Sequence, residues 1–161
     1  MDNSPDKYVE KMIKVTNNKY KLLQEVLAMT EEQFRSINEE GLEALEKLVA
    51  QKQIKIDDIN KLDDEFNVYF HRLKFELKIK SLDELQGSDI RGAGDLKESV
   101  GKVIGILGEI FEVEKKNNDK AKMLLSEIGS EIKKLNVGKK INSVYRPGPV
   151  QAFSYFIDKK K

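Results

Sequence analysis

Apolar side chains recur along this chain at alternating steps of four and three. Val9, Ile13, Thr16, Tyr20, Leu23, Leu27, Thr30, Phe34 and Ile37 form one unbroken series. That spacing keeps a stripe on one side of an α-helix while it winds around a neighbour. Ser4 followed by Pro5 supplies the expected start, because proline at the first helical position gives up an amide that would be unpaired anyway. Thr30 and Gln33 have the form of a capping box that opens a new helix. The stripe crosses Thr30 without a change of phase, however, so a single helix over about 4–37 is predicted, roughly 50 Å long at 1.5 Å per residue.

Asn38 to Gly41 reads as a reversal, and a second stripe follows through Leu42, Leu45, Val49, Lys52, Ile56, Ile59, Phe66, Phe70, Leu73 and Leu77. It predicts a helix over 42–80. Lys52 and Asp63 interrupt it, and Lys52 is expected to lay its stem along the seam with its ammonium in water. Residues 81–94 form the predicted long loop: Ser81-Leu82-Asp83-Glu84-Leu85 reads as one capped turn, and Gln86 to Gly94 holds three glycines. A third stripe, Leu96, Val100, Val103, Leu107, Ile110, Ala121, Leu124, Ile128, Ile132 and Leu135, predicts a helix over 95–137. Its middle, Glu114 to Lys120, is polar, so the helix is expected either to emerge into solvent there or to bend. Gly101, Gly105 and Gly108 on one flank are expected to let a neighbouring helix approach closely, at about 1 kcal/mol each in helix propensity.

The resulting class is all-α: an elongated antiparallel bundle of three long coiled-coil-like helices over 1–138, followed by an aromatic tail over 139–161 expected to be flexible. Pro147-Gly148-Pro149 cannot continue a helix. Tyr145, Phe153, Tyr155 and Phe156 then need cover, either from the bundle or from a partner.

Composition narrows the chemistry. Charged residues make up 35% of the 161 and hydrophobic ones 39%, the profile of amphipathic helices with Lys and Glu on their outer faces. With no cysteine, disulfides and thiolate metal sites are excluded. The residues after Met1 show no basic stretch leading into an apolar run, so no leader is expected. Val103 to Phe111, the most apolar stretch, is too short and too interrupted to span a bilayer.

The net charge of +1 is unevenly spread: 31–65 carries −6 and 115–161 carries +8. This asymmetry suits either pairing within the chain or steering of a partner. The last third has a single arginine, Arg146, and scattered lysines, which does not resemble a phosphate-gripping groove; no nucleic-acid partner is expected. His71 is the only histidine and stands next to Tyr69 and Phe70, so it reads as a surface or seam residue. The acidic residues Asp57, Asp58, Asp63, Asp64 and Glu65 lack the loop of a calcium hand and spread over several helix faces. Neither a nucleophile elbow nor a phosphate loop occurs. No catalytic residue, metal or cofactor is expected.

Three stretches together resemble the FlgN-type flagellar export chaperones. The first is Leu22-Leu23-Gln24-Glu25 through Thr30-Glu31-Glu32-Gln33. The second is Glu39-Glu40-Gly41-Leu42-Glu43-Ala44-Leu45-Glu46, leading to Gln51-Lys52-Gln53. The third joins Asn117-Asn118, Leu124-Leu125 and Glu127-Ile128 to Tyr145 and Phe156-Ile157-Asp158-Lys159-Lys160-Lys161.

The resemblance implies a cytoplasmic chaperone for hook-associated proteins, the hook–filament junction proteins. It would bind their C-terminal helical region, prevent premature assembly and deliver them to the flagellar export gate. It further implies a cargo site toward the C-terminal end, placed on Leu124, Leu125, Ile128, Ile132 and Leu135 with Phe153, Tyr155 and Phe156, and an export-gate contact at Tyr145. The same leucines and isoleucines also fit ordinary core packing, and a generic coiled-coil adaptor remains the alternative. Self-association through the same stripes stays open.

Overall fold

The computed structural model describes residues 4–86 and 89–135. Four helices follow in order: α1 (Pro5–Ser36), α2 (Leu42–Leu77), α3 (Leu82–Gln86) and α4 (Ala93–Leu135). No strand occurs among the described residues, and the all-α class expected from the stripes is the class observed. α1 begins where Ser4 and Pro5 predict, with the Ser4 carbonyl accepting from the amides of Lys7 and Tyr8 at 3.0 and 3.4 Å. It passes through Thr30 without a break. α2 stops at Leu77 rather than Lys80, because Lys78 takes a positive φ of 55°. α4 is continuous through 114–120, without a break.

The chain divides into two compact units, and each long helix contributes to both. The first unit draws on the segments up to Leu27 and Gln53–Gly108. Here α1 and α2 run in opposite directions, as two cross-pairs show. Lys19 meets Asp63 at 2.7 Å and Lys55 meets Glu25 at 3.4 Å. Tyr8, Val9 and Met12 of α1 form the core with Leu73 of α2, Leu85 of α3, and Ala93 and Leu96 of α4. Fully burying each such aliphatic side chain contributes about 1.5–3 kcal/mol. The predicted capped turn is α3, and it serves as a plug: Leu85 is wholly buried and Leu82 packs beside it. Gly92 lets the chain turn into α4. Its φ is +90°, and a Cβ there would come within 3.2 Å of Val9 Cγ1.

Among the described residues, Gly101, Gly105 and Gly108 admit no neighbouring helix. No described residue outside their own helical turns lies within 4 Å of where their Cβ atoms would be, and the adjacent Ile104 is 65% exposed. Their face points away from the core made by Leu96, Val103 and Ile106.

The second unit draws on Ala28–Lys52 and the described residues from Glu109 to Leu135. The end of α1, the reversal and the start of α2 make a helical hairpin. Gly41 is required at its turn, because a Cβ would sit against the Ser36 carbonyl oxygen. α4 runs parallel to α1 in this unit. Asn117 Nδ2 donates to the Thr30 carbonyl at 3.0 Å, and three residues on, Lys120 Nζ donates to the Phe34 carbonyl at 2.5 Å. Successive long helices are therefore antiparallel, while the first and last run the same way.

Candidate partner-binding site

The polar residues of the second unit are not where the stripes suggest. Lys52 does not snorkel. It is 2% exposed, and its ammonium donates to Gln33 Oε1 at 2.5 Å and to Glu114 Oε1, which is itself buried. Three helices thus meet at one polar layer, with Gln33 from α1, Lys52 from α2 and Glu114 from α4.

Asn117, one turn further along α4, is also fully buried. The polar stretch Glu114 to Lys120 turns two of its side chains inward and bonds them there, so the helix runs through it unbroken. On α1 the buried position is Gln33, and its neighbour Phe34 is 38% exposed. A polar residue takes the inner face because it finds a charged partner there. Burial pushes the Lys52 ammonium below the ordinary lysine range, against the opposing pull of the Glu114 carboxylate and its hydrogen bond.

Beyond this layer the described residues of the second unit include a small apolar cluster, in which Ile37, Leu45 and Ala121 are buried and Leu124 packs against them. The buried series on α4 reads Ile110, Glu114, Asn117 and Ala121, and there it stops. The helix does not. It continues eleven residues past Leu124 to Leu135, roughly 16 Å at 1.5 Å per residue.

Leu124, Leu125, Ile128, Ile132 and Leu135 occupy the same helical face as the buried series, by the 100° step of an α-helix. None of them is buried: the first four are half-buried and Leu135 is 82% exposed. Lys122, Glu127, Lys133 and Lys134 are exposed on the other sides. The end of α4 is an amphipathic helix whose apolar face outlasts the core. The expected cargo residues on α4 are thereby brought to one face, while Tyr145, Phe153, Tyr155 and Phe156 lie outside the described residues. What the stripe alone could not reveal is where the core ends. The α1–α2 reversal at Asn38 to Gly41 was the signal for it.

Other sites offer little chemistry. His71 is exposed, as expected of a surface residue. Among the described residues no group of three or more His, Cys, Asp or Glu side chains is placed to hold a metal ion. The first unit has an apolar groove of about 240 Å³ lined by residues that include Val15, Phe66, Leu82, Val100 and Ile104. It is smaller than the roughly 300–1,000 Å³ usual for small-molecule pockets. Two larger hollows, about 470 and 650 Å³, are lined largely by surface charges such as Lys7 and Glu10. No described helix is long and apolar enough to cross a membrane.

Among the described residues the fold is all-α, with an apolar face on α4 that runs past its last buried residue and is only partly covered. Residues 1–148 match the FlgN protein family, nearly the whole chain, and the chain belongs to that family, whose members are flagellar chaperones. Neither the curated proteins nor the solved structures provide a match.

Proposed function

We propose that this protein is a cytoplasmic flagellar export chaperone whose cargo site is the end of α4. The observation that carries this reading is the apolar face from Leu124 to Leu135, which continues a buried series past the last buried residue, Ala121. Its cargo is the C-terminal helical region of hook-associated proteins. Such a segment is amphipathic in its own right, so pairing with α4 buries both apolar faces and keeps the cargo from polymerising. Phe153, Tyr155 and Phe156 contribute to cargo binding in this reading, and Tyr145 engages the export gate when cargo is delivered.

Co-expression with candidate hook-associated proteins, followed by size exclusion, tests the assignment. Co-elution with at least one is expected, and hydrogen exchange over 121–135 should slow in that complex. Absence of co-elution with every candidate would return the protein to the adaptor reading. Co-elution with unchanged exchange over 121–135 would move the site elsewhere.

A further inference from the structure

The two units close by different means. In the first, seven buried apolar or aromatic side chains from four helices form one cluster, and further apolar residues pack around it. In the second, the apolar cluster has three buried members, and two of them, Ile37 and Leu45, belong to the hairpin itself. α4 is held there by the buried Ile110, by Ala121 and Leu124 packed with Ile37 and Leu45, and by three polar contacts. Lys52 bonds to Glu114, Asn117 bonds to the Thr30 carbonyl, and Lys120 bonds to the Phe34 carbonyl.

A buried ion pair gains little net stability over apolar residues of the same volume, because desolvation of both charges cancels most of their attraction. An apolar contact, by contrast, resists separation in proportion to the area it hides.

We infer that the Gln33–Lys52–Glu114 layer is a release point along which α4 from Glu109 to Leu135 separates from the hairpin as a local opening, with the first unit closed. Opening hydrates the ammonium and the carboxylate together, which recovers much of the attraction lost. It also frees the helix that carries the apolar face, and bares Ile37 and Leu45 on the hairpin. This property belongs to the empty protein and is measured without cargo, so it stands or falls separately from the assignment of a partner.

Hydrogen exchange on the full chain reads it directly, since exchange reports local opening segment by segment. Amides of 30–36, 48–52 and 110–121 are expected to exchange at least ~10-fold faster than those of 8–16 and 96–106. In the triple variant Gln33→Leu, Lys52→Met, Glu114→Leu, the first set should slow by ~10-fold or more while the second set moves less than ~2-fold.

Should that variant lose helicity or change its elution volume, Glu114→Gln serves instead. It leaves the buried ammonium facing a neutral amide, and should speed exchange of the first set by ~10-fold or more with the second set unmoved. Equal protection in the two units would overturn the inference. So would variants that leave the second unit unchanged, or that move both units together.

Discussion

Lys120 holds Phe34 in two ways at once. Its ammonium lies 4.2 Å from the centre of the Phe34 ring and donates to the Phe34 carbonyl at 2.5 Å. That carbonyl lies in the last turn of α1, where helical carbonyls have no partner within the helix. A cation at this position complements the negative end of the helix dipole as well. Lys120→Ala should therefore destabilise the protein by about 1–2 kcal/mol, the sum of an exposed cation–π contact and a charged hydrogen bond discounted for solvent. Lys120→Arg should recover at least half of it. Urea denaturation of the three proteins checks the order.

The Lys52 ammonium supplies a pH signature. Burial holds its folded pKa below the unfolded value near 10.5. Between those two values the unfolded chain binds more protons than the folded one, so stability attributable to this group rises with pH. Below the folded pKa the desolvation cost is present in full. Lys52→Met leaves Glu114 buried without its cation and is the less stable protein, so its gap to the wild type should widen as pH rises toward 10.5, read by urea midpoints at several pH values. A gap that stays constant, or narrows, would show that Lys52 is not desolvated as the structure has it.

The apolar end of α4 should separate binding from stability. Ile128→Ala with Ile132→Ala is expected to shift the urea midpoint little, since neither side chain is buried. Cargo affinity should fall about 10- to 100-fold, if the two side chains, already half-buried, together lose roughly 1.4–2.8 kcal/mol of further burial. Leu45→Ala, in the buried cluster of the hairpin, should do the reverse. It is expected to cost about 2–5 kcal/mol of stability.

Two glycines of one helical region should respond in opposite directions to alanine. Gly92→Ala is expected to destabilise by roughly 1–3 kcal/mol, because the residue holds a positive φ and faces Val9. Gly105→Ala, in open space on the outer face of α4, should stabilise by about 0.5–1 kcal/mol through helix propensity. Thermal melts of the two variants would decide it.

Much of the architecture was legible from spacing. The 4-3 series of α1 and the Ser4-Pro5 start set its beginning, and the capped turn at Leu82 to Leu85 became α3. The apolar positions after Ala121 were readable as a face for the same reason, since helical periodicity acts locally. Lys52 and Glu114 were misread because burial of a charge depends on its partner, and theirs lie 62 residues apart. Gly101, Gly105 and Gly108 were misread for a related reason: small residues permit a close approach but do not compel one.

By itself the sequence determined the helices, their apolar faces and the reversals between them, since these follow from backbone conformation and the 3.6-residue period. It also carried the resemblance that the family match bears out. Only the tertiary structure decided which stretch of each face is covered. The Lys52–Glu114 pair could lie inside because three helices meet at that height, and the face from Leu124 to Leu135 is only partly covered because α4 outlasts the buried cluster. Burial is a property of neighbours, and neighbours distant in sequence exist only once the chain has folded.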